Sequence, residues 1–305
     1  MPRRDASAAA GEQAAAPTRR PAAELPPGFD EEATRLLAHP RLRLALAHYC
    51  HGMATGAALD WPYYKLFDQL GRYLVCFMLI HNYYAWRERG GPAPTLAALQ
   101  RAAGGSPRHT AGFVAALRAG RLVEVEPDPD DRRATLLRPT ERVIAEIGRS
   151  QRLFVEATDI VEARSPGRGA ALADPDRLGS LISRSAAYVL ENGTLLHAFP
   201  AVLHFTLRDC GYPMLAAVIG RHYAATVAGA PEGVPLGRRA LAERFRVSPA
   251  HVGSLFAQAE ERGWFALGAA GEIASMDEDF LAQFERWSAW QMVHFERMWE
   301  LVPRG

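Results

Sequence analysis

Apolar residues recur at helical spacing over most of the chain. Leu36, Leu37, Leu42, Leu44 and Leu46 lead into an aromatic-rich helical segment from Trp61 to Trp86, which Gly90, Gly91, Pro92 and Pro94 break. Thr95 then stands as N-cap to a short helix, Leu96 to Ala103, closed by Gly104-Gly105. Ser106-Pro107 opens the next helix as a hydroxyl N-cap followed by proline at the first helical position. Its Phe113, Val114 and Leu117 share one face, and it stops near Gly120. Leu122 to Val125 then reads as a strand, Pro127 to Arg132 as a polar turn and Ala134 to Leu137 as a second strand, before a long helix from Thr140 to about Ala163.

The same grammar recurs. Ser248-Pro249 opens a helix with Val252, Leu255, Phe256 and Ala259 on one face; Gly263 ends it, and Trp264 to Leu267 follows as a strand. Placing Ser248 on Ser106 gives an offset of 142 (248 less 106) that also sets His251 on His109, Leu255 on Phe113 and Leu241 on Leu99. The upstream segments, Leu79 to Tyr83 and Val218 to Tyr223, match within a residue or two, and Asp277 to Glu300 takes the part of the closing helix. Such self-similarity outranks any single-element assignment and predicts a duplication, with Ser165-Pro166-Gly167-Arg168-Gly169 as linker.

A helix, a glycine-containing turn, a second helix and a two-stranded hairpin form a helix-turn-helix pattern, in which the first turn of the second helix faces base edges. Ser106, Arg108 and His109 occupy that turn, with Arg108 suited by its planar fork to a guanine edge or a phosphate. A solvated surface arginine is the plainer alternative. The hairpin Asp128-Pro129-Asp130-Asp131-Arg132-Arg133-Ala134, followed by a strand and Arg138-Pro139-Thr140-Glu141, resembles the wing of the MarR family of regulators, with proline at 139 and valine at 143 departing from the family pattern. The resemblance implies that Arg133 enters a minor groove while Asp131 braces its guanidinium, a division of labour consistent with the negative potential of a narrow groove. Arg132 points to the other side of the strand, and without DNA all three form a charged turn.

The second unit is weaker. Its wing, Gly268-Ala269-Ala270-Gly271-Glu272, is short and lacks arginine, and Glu260-Glu261 make the end of its second helix acidic. Phosphate contact there falls to Arg238, Arg239, Arg244 and Arg246, with His251 near the bases. The expected fold is therefore mainly α with small β-wings: two tandem winged helix-turn-helix units joined through a helical, dimer-like bundle. Residues 1–27 are a disordered tail, 28–164 the first unit, 165–175 the linker and 176–300 a degenerate second unit. Residues 301–305 read like the remnant of a cleavable expression tag.

Composition narrows the classes. Of 305 residues 49% are hydrophobic and 23% charged, which suits a soluble globular protein, and no stretch nears the roughly 20 apolar residues of a membrane span. A formal net charge of +1 confines any DNA-binding surface to local patches. Three separated cysteines and no signal peptide fit a reducing cytoplasm. Cys50 between His48 and His51 suggests a thiol switch or a metal site, but no matching ligand cluster accompanies them, and a buried inert cysteine is the simpler reading. No hydrolase, zinc-protease, nucleotide or dinucleotide motif occurs, so neither enzyme activity nor a cofactor is expected.

The expected partner is double-stranded DNA, bound by one chain as a pseudo-dimer on an imperfect palindrome, with a further homodimer as the alternative. The family resemblance implies a small aromatic effector. Tyr49, Trp61, Tyr64, His81, Tyr83 and Tyr84 are candidates for its pocket, although such a stripe equally suits a core. The competing function is a small-molecule sensor or protein-interaction scaffold on the same fold with DNA binding reduced or lost.

Overall fold

The computed structural model describes residues 22, 24–56, 63–128 and 134–303, Tyr64 in its backbone alone. The chain is mainly helical, with two small antiparallel two-stranded sheets. Its first half runs α1 (Phe29–Leu37), α2 (Leu42–Thr55), a 3-10 turn at Tyr63–Leu66, α3 (Leu70–Arg89), α4 (Leu96–Ala103), α5 (Pro107–Ala119), β1 (Val123–Pro127), β2 (Thr135–Pro139), α6 (Glu141–Ile147) and α7 (Arg149–Glu162). A short α8 (Arg168–Ala171) leads to the second half: α9 (Pro175–Asn192), a 3-10 turn at Leu195–Ala198, α10 (Pro200–Thr206), α11 (Gly211–Thr226), α12 (Arg238–Phe245), α13 (Pro249–Glu261), β3 (Phe265–Leu267), β4 (Ile273–Met276) and α14 (Glu278–Trp299).

The repeat holds at the level of elements. Both α4 and α5 recur as α12 and α13 at an offset of 142 at each end (96 to 238 and 119 to 261). After the hairpin the offset falls to 137, since α6 begins at 141 and α14 at 278. The second hairpin is therefore five residues shorter (142 less 137), as its sequence implies. Thr95 caps α4 by accepting the Ala98 N–H at 3.2 Å, and Ser248 caps α13 by accepting the His251 N–H at 3.1 Å. Ser106 occupies the N-cap position of α5, yet its hydroxyl makes no capping bond and is left exposed.

The halves are joined by exchange. Helix α2 of the first half packs on α11 of the second, α9 of the second packs on α3 of the first, and α7 lies along α14. The arrangement is reciprocal, each half giving a helix to the other. Close approach is secured by missing side chains: a Cβ on Gly179 would fall 2.1 Å from the Tyr84 ring, and one on Gly220 would fall 3.1 Å from the Cys50 Cβ. One continuous core spans both halves, so the two units share their stabilising burial.

Four expectations need correction. The closing helix of the first half is not continuous but divides into α6 and α7 at Gly148, where a Cβ would meet Leu178 of α9 at 2.7 Å. The helix drawn from Trp61 begins only at Leu70. Residues 165–175 are not a free linker: Arg164 and Arg168 bind Glu296 at 2.9 and 2.7 Å, and the Gly169 N–H donates to Asp159 at 2.8 Å. The tail is placed in part, with the Ala22 N–H donating to the Thr194 carbonyl at 3.0 Å and Leu25 packed near Phe29 and Leu195. At the other end Val302 is buried. Among the described residues no helix is long and apolar enough to cross a membrane.

Candidate nucleic-acid interface and interhelical cavity

Helix α5 divides sharply between its faces. Thr110, Phe113, Val114 and Leu117 are buried, whereas Ser106, Arg108 and His109 stand exposed on the first turn. Arg108 and His109 carry no hydrogen bond or ion pair to the described residues, so both are free to meet an external partner. Helix α4 braces α5 through the Gln100 side chain, which donates to the Pro107 carbonyl at 2.9 Å. The flanking hairpin is registered by pairs from Val123 with Pro139 to Pro127 with Thr135. Asp131, Arg132 and Arg133 lie outside the described residues.

The second unit offers a different surface. Arg238 and Arg239 are exposed on the first turn of α12, and the Arg238 guanidinium lies beside α13 at Gly253. His251, expected near the bases, is half-buried and committed to the protein: its Nε2 lies 2.9 Å from the Asp209 carbonyl. A carbonyl only accepts, so Nε2 must carry the proton. Glu260 accepts the Leu267 N–H at 3.0 Å and so ties the acidic end of α13 to its hairpin. Arg244 donates to the Ala54 carbonyl at 3.3 Å, an exchange contact rather than a free cation.

A cavity of about 560 Å³ opens along the seam between the halves. The first half contributes the start of α3 and the α6–α7 junction; the second contributes the end of α9, the 3-10 turn after it, α10 and the middle of α14. Leu207, 57% exposed, stands at its rim. None of the candidate effector residues described with side chains lines it. Tyr49 lies behind the wall, its hydroxyl 2.8 Å from Ser150 and 2.5 Å from Tyr212. His81 and Tyr84 serve the α3–α9 contact, with the His81 ring 3.0 Å from the Ser183 carbonyl and the Tyr84 hydroxyl donating to Asp176 at 2.9 Å. Tyr83 stacks edge-on against Tyr84 at 5.3 Å. Trp61 and the Tyr64 side chain lie outside the described residues.

The charged groups around the cavity are matched. Arg149 pairs with Glu146 at 3.3 Å and donates to the Met53 carbonyl at 3.0 Å. Asp68 pairs with Lys65 at 3.1 Å and accepts from Cys210 at 2.9 Å. Asp68, Asp209 and Cys210 come close enough to hold a cation, but the Lys65 ammonium occupies their centre, 3.2 Å from Asp209 and 3.1 Å from the Cys210 sulfur. Cys50 is fully buried against Gly220, and burial pushes its thiol well up, which keeps it protonated and unreactive.

His294 is buried beside the Ser185 hydroxyl at 2.8 Å, and burial lowers its pKa to about 4. The folded state thus resists a proton that the unfolded chain accepts near pH 6.5. Stability is unpenalised above that pH and falls as pH drops from about 6.5 to about 4, by up to about 3 kcal/mol. Urea unfolding across this window should show the slope, and His294→Gln should flatten it; an unchanged slope would exclude His294 as its source.

A scan against protein-family models finds no match, and neither the curated proteins nor the solved structures yield one. The functional reading therefore rests on the residues and their geometry.

Proposed function

We propose that this chain is a sequence-specific, DNA-binding transcriptional regulator of MarR-like design, built as two winged helix-turn-helix units in one polypeptide. The observation that carries the reading is the helix pair repeated at an offset of 142, each copy followed by a hairpin, with the halves joined by reciprocal helix exchange. A duplicated chain of this kind acts as its own dimer. The free Arg108 and His109 on α5 supply base-edge contact, and Arg238 and Arg239 on α12 supply phosphate contact in the second unit. Arg133 of the first hairpin adds minor-groove contact, with Asp131 bracing its guanidinium and Arg132 beside it on the same turn. A small aromatic effector releases the complex by biasing the spacing of the two reading helices.

Titrating the intact chain into duplex DNA flanking its own coding sequence tests the reading. A specific complex whose affinity falls steeply with salt is expected. A second reading, a small-molecule sensor or interaction scaffold with DNA binding lost, is favoured by particular features of the second unit: His251 is tied to Asp209, and its hairpin carries Glu272 but no arginine. Absence of any salt-sensitive specific complex would select that alternative.

A further inference from the structure

The cavity opens beside one of two corresponding side-chain pairs in the contact between α7 and α14. At the offset of 137 that relates α6 and α7 to α14, Phe154 corresponds to Gln291 and Trp287 to Ser150. Phe154 is 1% exposed, stacked on Tyr49 at 3.9 Å and edge-on to Trp287 at 5.2 Å, so these rings close the seam there, and Trp287 forms part of the cavity wall. Gln291 and Ser150 stand at the related positions and both line the cavity. Two large rings in one pair are thus answered by two smaller, polar side chains in the other. The two halves differ at these positions, and the opening beside Gln291 and Ser150 is within the size range of small-molecule sites.

Its polar chemistry is specific. Gln151 is 2% exposed and lines the cavity, yet its Oε1 has no hydrogen-bond partner. The Tyr188 hydroxyl and His197 Nδ1, also in the lining, are buried and unpartnered as well. Buried polar atoms rarely stay unpaired, so each marks a place where a ligand group or water completes the bond. Arg149 and Asp68 are already neutralised by Glu146 and Lys65. Most of the remaining wall, including Leu74, Phe77, Val189 and Leu196, is apolar, with the neutral polar side chains of Ser150, Thr194 and Gln291 set among them.

We infer that each chain binds one uncharged, mainly apolar small molecule in this seam, held by a donor group on the ligand that bonds Gln151 Oε1. The inference deepens the effector part of the proposed function and rests on it, but it moves that site from Tyr49, His81, Tyr83 and Tyr84 to the seam and makes it single. A ligand there touches both halves, so it is placed to alter how they sit together. An anion is disfavoured because entering the site would leave its charge unpaired against an apolar wall.

The test uses two probes with one skeleton: N-phenyl-1-naphthylamine, neutral with a single N–H donor, and 1-anilinonaphthalene-8-sulfonate, which adds a negative charge. Fluorescence titration of the full chain should give saturable binding of the neutral probe at one per chain, with the sulfonate at least about tenfold weaker. Gln151→Met, close in size but lacking the acceptor, should weaken the neutral probe about three- to tenfold, the range set by one net hydrogen bond. Val189→Trp and Leu74→Trp, filling the cavity from opposite walls, should abolish binding, and circular dichroism identifies whichever variant is folded. Equal affinity for both probes, two sites per chain, or undiminished binding to a folded blocked variant would overturn the inference. Probe binding is read without DNA, so its failure is distinct from failure to bind an operator.

Discussion

Arg108→Ala is expected to weaken specific DNA binding by about 10- to 100-fold at physiological salt while leaving the unfolding transition in place. The size follows from the role: a bidentate arginine contact to a base edge carries about 1–3 kcal/mol of discrimination. Stability is spared because Arg108 is exposed on the first turn of α5 and is bound to no described residue. Surface substitutions of that kind shift stability by about 0.5 kcal/mol or less. Anisotropy titrations against matched and scrambled duplexes measure both parts. Loss confined to the matched duplex identifies a base contact, and equal loss on both identifies a phosphate contact. Unchanged affinity on both would remove α5 from the interface.

The second large effect concerns the joint between the halves. Phe154→Ala should cost about 3–5 kcal/mol, a large part of the roughly 5–15 kcal/mol by which domains of this kind are stable. Phe154 sits at 1% exposure where α2, α7 and α14 meet, stacked on Tyr49 at 3.9 Å and 6.0 Å from Phe295. Its removal loosens both halves together because the core is continuous across them. Urea unfolding followed by tryptophan fluorescence and by circular dichroism should give one transition, shifted to lower denaturant by both probes alike. Two separated transitions, or a loss below about 1 kcal/mol, would show that the halves stand independently.

The sequence exposed the repeated helix pairs better than it exposed the joint. Thr95, Ser106-Pro107 and Ser248-Pro249 are local signals, and each marks the start of a helix in the structure. The offset of 142 that pairs Ser106 with Ser248 also relates α4 to α12 and α5 to α13, because these helices carry local start signals and apolar faces of their own. Helix α9 was hidden by its own packing. Its buried face includes Gly179, Ser180, Ser183 and Ser185, small residues that let α3 approach closely but that break an apolar periodicity. Gly148 is legible in the opposite way: one glycine inside a helical pattern is tolerated, so no local signal marks the division there, beside Leu178 of the other half.

The candidate site was legible in the same uneven way. Arg108, His109, Arg238 and Arg239 are on the surface, as the apolar pattern of their neighbours required. His251 aligns with His109 in sequence, yet its ring is held by the Asp209 carbonyl, a partner 42 residues away that no local pattern reveals. The aromatic stripe from Tyr83 to Tyr84 became a helix contact rather than a pocket wall. The cavity could not be read from either half alone, since Gln151 and Tyr188 face it from opposite sides of the seam. Comparing the repeats position by position would have raised one signal, the replacement of Phe154 and Trp287 by Gln291 and Ser150.

The central claim is that one chain supplies both reading units. Native mass spectrometry of the chain on its operator, with a footprint of the same duplex, tests this most directly. The account predicts one chain per duplex and two unequal protected half-sites centred about one helical turn, roughly 10 base pairs, apart. Two chains per duplex with symmetric protection, or no specific complex at any salt concentration, would contradict it.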